Sequence, residues 1–272
     1  MNSNITAENE AQRLLASRAE DYLALSERGE LAASPFLTPA EAAYTLGVMR
    51  ALRAADRTFL FGGYGDAERK RLFVLPAYLA DFEGDAESRG REYCKEELAD
   101  AVRAIRIEGS GYRQLSHRDF LGSLLALGIE RDTLGDLVVE EGRIATVFCT
   151  GKIFPFLMQG IERVGADKVT VKEFIPDEDF AVKRDFLPIT DTIASNRLDC
   201  VVGALTNLSR EKAQTAVRSG LCEVDYRLEQ RVDFELKPPA VITIRGYGKY
   251  DLLSFDGETK RGRLRLIARK YV

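Results

Sequence analysis

Asn196-Arg197-Leu198-Asp199-Cys200-Val201-Val202-Gly203-Ala204-Leu205-Thr206-Asn207-Leu208-Ser209-Arg210-Glu211-Lys212-Ala213-Gln214-Thr215-Ala216-Val217-Arg218-Ser219-Gly220 reads as two short helices joined by a tight turn. Asn196 can cap the first helix, and Asp199 follows three residues later near its positive end. Leu198, Val201, Val202 and Leu205 repeat at i, i+3, i+4 and i+7, so they face inward and leave Arg197 at the exposed mouth. Ser209 is the N-cap of the second helix, whose inward residues are Ala213, Ala216 and Val217. Arg210, Gln214 and Arg218 form one outer row at i, i+4 and i+8, with Lys212 near its start and Gly220 at its end. Mobile cations beside a capped N-terminus with free backbone N–H groups suit a run of phosphates. This chemistry requires no metal or other cofactor.

Downstream of the helix pair the pattern becomes β. Cys222, Val224 and Tyr226 alternate as a strand, residues 241–245 form another, and Arg263-Leu264-Arg265-Leu266 alternates basic with apolar. An Asp256-Gly257 hairpin signal places Lys260, Arg261 and Arg263 at a loop tip. Tyr247 and Tyr250, beside Arg245 and Lys249, suit base stacking and core packing equally. The net charge of −4 hides an asymmetry. Residues 195–272 carry 15 Lys and Arg against 10 Asp and Glu, or +5, whereas residues 1–194 carry 24 against 33, or −9. The basic end is therefore the anion-binding end.

Upstream, a first helix is expected to about residue 27, closed by the stretch from Gly29 to Pro35. Thr38-Pro39-Ala40-Glu41 then starts a second helix, expected to reach Ala55. Strands over 58–61 and 72–75 flank Gly62-Gly63-Tyr64-Gly65. That run lacks P-loop spacing and no Lys-Ser or Lys-Thr follows it, so it reads as a hairpin turn. From residue 101 the order is strand (102–108), helix (117–127), strand (134–140), strand (144–149), helix (152–164), strand (168–174). This βαββαβ order predicts a ferredoxin-like, RNA-recognition-motif-like sandwich. Its third strand carries Phe148 but lacks the glycine-aromatic signature of base-stacking RNA-recognition motifs. Ser116-His117-Arg118-Asp119 has capping-box spacing, which makes Ser116 and Asp119 helix-start residues; His117, the single histidine, is not expected to act as an acid or base, and with Arg118 it stays open to RNA contact. The expected class is α+β, in three domains: an N-terminal α/β domain (1–95), the middle domain (96–176) and the C-terminal domain with its basic tail (182–272).

With 272 residues, 45% of them hydrophobic and 30% charged, the composition is that of a folded soluble chain. No apolar run approaches a membrane span, and Glu8, Glu10 and Arg13 stand where a signal peptide needs apolar residues. A cytoplasmic monomer is expected. Cys94, Cys149, Cys200 and Cys222 are far apart and do not cluster with the histidine, so neither zinc nor a disulfide framework is expected.

Arg-Leu-Asp, then Leu-Ser-Arg with Lys and Ala following, then Val-Arg-Ser-Gly-Leu-Cys-Glu-Val-Asp resembles the RNA-binding domain named for small-subunit ribosomal protein S four, over residues 196–246. Asp225 departs from the family's usual asparagine, and Pro239-Ala240 from its common Gly-Asp turn. A wider set resembles the YlmH family over nearly the whole chain. It comprises Phe61-Gly62-Gly63-Tyr64 with Glu68-Arg69-Lys70, the segments 116–122 and 127–129, Arg245-Gly246-Tyr247-Gly248-Lys249-Tyr250, and 257–263. That resemblance implies a bacterial protein linked to the large ribosomal subunit, to stalled peptidyl-tRNA and to ribosome-associated quality control. Its expected partners are ribosomal RNA and tRNA. The expected contacts are Arg197, Ser209, Arg210, Lys212, Gln214, Arg218, Arg245, Lys249, Lys260, Arg261 and Arg263.

The leading expectation is a non-catalytic protein that docks on structured RNA through phosphate and shape contacts. One rival is an RNA-modifying enzyme, because S-four-type domains are often appended to such enzymes. No Rossmann glycine fingerprint or synthetase ATP signature accompanies it here. Another is a protein-interaction module in division or translation that uses the acidic N-terminal part.

Overall fold

A computed structural model describes residues 10–177, 180–182, 185–258 and 262–272. The chain divides into two compact units, residues 1–182 and 183–272. Both mix helices with antiparallel sheet, as the α+β expectation requires.

The first unit opens with α1 (Glu10–Glu27) and α2 (Pro39–Ala51), which pack on a three-stranded sheet. That sheet comprises β1 (Ala32–Leu37), β2 (Thr58–Phe61) and β3 (Lys70–Val74) in the order β1-β3-β2. The Thr38 capping box forms as expected, with the Glu41 carboxylate accepting from the Thr38 N–H at 2.7 Å. The second helix stops at Ala51 rather than Ala55, and residues 55–57 form a 3-10 turn. Strand β1 occupies residues expected only to close the first helix. Pro35 is tolerated there because it falls at the register shift between Ala33 and Phe36, where no ladder N–H is required. Helices α3 (Ala86–Tyr93) and α4 (Lys95–Ala101) lead into the next sheet.

That sheet contains β4 (Val102–Gly109), β5 (Leu134–Glu140), β6 (Ile144–Thr150), β7 (Arg163–Val164) and β8 (Asp167–Phe174), with α5 (His117–Ala126) and α6 (Phe154–Gly160) between strands. The order is β5-β6-β4-β8-β7 and every pairing is antiparallel. Strand β7 takes residues expected to belong to the second helix, so α6 is shorter than its apolar pattern suggested. One face of the sheet (Ile105, Ile107, Val147, Cys149) packs on Phe120 and Leu124 of α5 and Leu157 of α6. The opposite face (Ala104, Phe148) packs on Phe36, Phe59, Tyr64 and Phe73. Residues 1–95 and 96–176 thus contribute to a shared core within the first compact unit. Strands buried on both faces lose the polar alternation that would have marked a free side.

The second unit pairs α7 (Leu198–Thr206) and α8 (Arg210–Arg218) with a six-stranded antiparallel sheet of order β11-β10-β12-β13-β14-β9. The strands are β9 (Phe186–Ile193), β10 (Cys222–Val224), β11 (Arg227–Leu228), β12 (Ala240–Ile244), β13 (Gly248–Glu258) and β14 (Leu264–Tyr271). The inward stripe of α7 is fully buried at Leu198, Val201 and Val202, against Ile242, Ile244 and Leu252. Tyr226 leaves the strand expected for it, because Asp225 (φ 48°) and Tyr226 (φ 63°) form the tight turn between β10 and β11. Asp256-Gly257, read as a hairpin signal, lies instead inside β13 at the register shift between Phe255 and Glu258, with Gly257 at φ 69°, and so forms a bulge.

Candidate nucleic-acid interface

Helix α8 is positioned by its cap and by its apolar side. The Ser209 side chain accepts from the Lys212 N–H at 3.5 Å, so Ser209 acts first as a helix-start residue. Ala213, Ala216 and Val217 are buried, which turns Arg210, Lys212 and Arg218 to solvent. These three cations form no ion pair or side-chain hydrogen bond among the described residues.

Gln214 does not continue their row. Its Nε2 donates to Asp199 Oδ2 at 2.8 Å, while Arg197 Nε donates to Asp199 Oδ1 at 3.2 Å. Asp199 is 1% exposed, so burial by itself would raise its carboxyl; the Gln214 hydrogen bond and the Arg197 charge outweigh that and hold it below the usual range. Gln214 therefore braces α8 against α7, while Arg197 pairs with Asp199 within the start of α7. The half-buried Arg197 also bridges to Glu235 through the backbone. Asn196 does not cap α7: its amide donates to the Leu236 carbonyl at 3.3 Å, and Arg197 is the cap residue without a side-chain cap bond. A long-range carbonyl partner wins over the local one, which spacing alone could not foresee.

The remaining expected contacts are dispersed. Arg245 is exposed where β12 turns into β13, its N–H bonded to the Leu221 carbonyl. Lys249 Nζ lies 5.3 Å from the Tyr226 ring and 4.7 Å from the Tyr271 ring, so it is half-buried between two tyrosines. Arg263 Nη2 donates to the Thr192 carbonyl at 2.5 Å. Lys260 and Arg261 lie outside the described residues. Tyr250 is 2% exposed and is a core residue, whereas Tyr247 is 38% exposed.

In the first unit, Asp136 has a part that sequence reading missed. Its carboxylate accepts from the Tyr64 hydroxyl at 2.6 Å and from the Glu68 and Arg69 N–H groups at 2.8 and 2.9 Å. Arg69 also donates to the Phe36 and Leu134 carbonyls. The long Gly62–Arg69 loop is thereby clamped onto β5. Gly63 sits at φ 101°, and a Cβ there would fall 2.4 Å from the Phe148 ring. The only available signal was a lone Asp in the apolar run Leu134-Gly135-Asp136-Leu137-Val138-Val139.

Beside this clamp lies a cleft of about 690 Å³, lined by Phe61, Tyr64, Phe148 and Phe174 with Arg91 and Lys95 among its rim residues. Burial pushes the Cys149 thiol up to about 12 and the Cys222 thiol up to about 11, so both are protonated at neutral pH. All four cysteines are free. His117 opens α5 behind a formed Ser116–Asp119 capping box, and burial together with the Arg131 charge pushes its imidazole down, toward the neutral form.

Residues 102–178, from β4 to just beyond β8, match a family described as "Putative RNA-binding domain in YlmH". The resemblance to the YlmH family is borne out. The chain is 26% identical over 212 residues to "Ribosome-associated protein quality control protein P2" of Bacillus subtilis (strain 168), covering 75% of this chain and 74% of that protein. "Cell division protein ylmH from Streptococcus pneumoniae" is a solved structure 18% identical in sequence, with 62% of this chain and 94% of that one covered at a TM-score of 0.46. Within the YlmH-type segment, Phe148 on the sheet face away from α5 and α6 is 0% exposed, with its ring centroid 4.9 Å from that of Tyr64. The position where an open RNA-recognition motif would offer an aromatic ring to a base is thus already filled from within the chain.

Proposed function

We propose that this protein is a non-catalytic RNA-binding protein of the ribosome. In this reading it docks on RNA of the large subunit, with tRNA as a second partner, in quality control of stalled peptidyl-tRNA complexes. The observation that carries the proposal is the solvent-facing set Arg210, Lys212 and Arg218 on α8, three cations without partners among the described residues, in the basic part of an otherwise acidic chain. Unpaired cations beside a capped helix start are suited to phosphates, and each phosphate they neutralise releases counterions. The YlmH match and the ribosome-associated name of the Bacillus subtilis relative support the same reading.

Residues 182–272 are on this view an S-four-type RNA-binding domain, with Arg245, Lys249 and Arg263 flanking the α8 contacts, Gln214 holding α8 to α7 and Arg197 at the start of α7. Residues 96–176 are a ferredoxin-like domain closed on its sheet face by residues 1–95. In this reading it works in the cytoplasm beside its ribosomal partner, as a monomer in which each unit holds its own core. The test is co-sedimentation of the Arg210→Glu/Arg218→Glu variant with purified large subunits over a salt series. The expected result is loss of association and a flatter salt dependence; unchanged association with an unchanged slope would refute the proposal.

A further inference from the structure

The cleft of the first unit joins an aromatic floor to a nearly neutral rim. Tyr64 and Phe148 form the floor and are buried, while Phe61 and Phe174 are only half-buried and line the cavity. Arg91 covers one face of the Phe61 ring, with its guanidinium carbon 4.9 Å from the centroid. Of the rim charges, Arg103 is held between Asp100 at 3.3 Å and Glu173 at 2.5 Å, and Arg91 meets Glu87 at 2.6 Å. Lys95 is exposed and has no ion pair among the described residues. A cleft whose cations are largely matched by carboxylates does not track a run of phosphates. Its aromatic lining suits a planar heterocycle, and its volume lies in the range of small-molecule sites.

We propose that this cleft takes one unpaired nucleotide of a single-stranded RNA segment, with the base against Phe61 and Phe174 and its phosphate at Lys95 and Arg91. The proposal rests on the RNA-binding reading above and adds a second, shape-governed contact in the other unit. Because Phe148 is sealed, the base enters beside the sheet aromatic rather than stacking on it. The Gly62–Arg69 loop, clamped by Asp136, supplies Gly63, Tyr64 and Gly65 to the lining.

The test uses the full chain and a fluorescently labelled eight-nucleotide single-stranded RNA, with large-subunit co-sedimentation measured in parallel. Phe174→Leu keeps apolar volume but removes the ring face, and Arg91→Glu/Lys95→Glu reverses two exposed charges. Each is expected to weaken oligonucleotide binding about tenfold, the scale of one lost base stack. A 4-thiouridine cross-link is expected on a peptide containing Phe61 or Phe174. The cleft proposal is overturned if the oligonucleotide does not bind, if both variants bind it like the parent, or if cross-links fall only in residues 183–272. If Arg210→Glu/Arg218→Glu still abolishes subunit association in that case, the RNA-binding reading survives the failure of the cleft. If subunit association also persists in that variant, the RNA-binding reading fails as well.

Discussion

The cations of the cleft and those of α8 are held in opposite ways. Around the cleft Arg103 and Arg91 are each matched by carboxylates and Lys95 alone has no ion pair among the described residues, while in the neighbouring clamp Arg69 spends its guanidinium on backbone carbonyls. Arg210, Lys212 and Arg218 project from a helix whose other side is buried, and meet no partner among the described residues. The first arrangement makes shape and leaves little net field; the second makes field and little shape. Substitutions in the two regions should therefore separate into those that cost stability and those that cost salt-dependent affinity.

The largest effect is expected at Gly63. Gly63→Ala forces a side chain into a left-handed backbone position and into the Phe148 ring, and should lower unfolding free energy by about 3 kcal/mol in a urea titration. Asp136→Ala leaves the Tyr64 hydroxyl and two loop N–H groups without their acceptor, and should cost about 2 kcal/mol while leaving the salt dependence of subunit binding unchanged. A changed salt slope in that variant would break the separation between the regions. On α8, Lys212→Ala should leave the urea midpoint unchanged and reduce the slope of log affinity against log salt by about 1.

Asp199 is where the distinction narrows, because one buried carboxylate braces the helix that carries the free cations. Asp199→Asn should cost about 1 kcal/mol at neutral pH. Since the folded carboxyl lies below its unfolded value, the parent's advantage is present above the unfolded pKa and is lost as pH falls through the folded one. Urea midpoints of parent and variant should accordingly converge in acid. A constant difference down to low pH would show that the charge of Asp199 does not contribute.

Periodicity carried most of the element order. The stripe of α7, the caps at Thr38, Ser116 and Ser209, and the βαββαβ run are local patterns, and local patterns are what a sequence displays. The failures share a different cause. Asn196 and Gln214 found partners at Leu236 and Asp199, and Asp136 gathered donors from a loop 67 to 72 residues away. No spacing rule reports such pairings. Strand β9 was missed because Phe186-Leu187-Pro188-Ile189-Thr190-Asp191-Thr192-Ile193 contains a proline, acceptable there only because the strand lies at the sheet edge. The candidate site was legible where solvent-facing charge sufficed, at Arg210, Lys212 and Arg218, and illegible where burial decided the outcome, as at Phe148 and Tyr250.

Strand β9 pairs along its whole length with β14, from Phe186↔Tyr271 to Ile193↔Leu264, and the Val272 N–H reaches back to the Asp185 carbonyl at 3.1 Å. The first strand of the unit is thus made long before β14, its sheet neighbour among the described residues, exists, with 71 to 85 positions separating paired residues. Loop-closure entropy has to be met before that pairing returns anything, which makes it a slow, late event in folding. During synthesis the α7–α8 pair and its nearby strands can assemble while β9 still waits as an unpaired edge. A nascent chain at that stage would already display the cations of α8, before the sheet beneath them is closed.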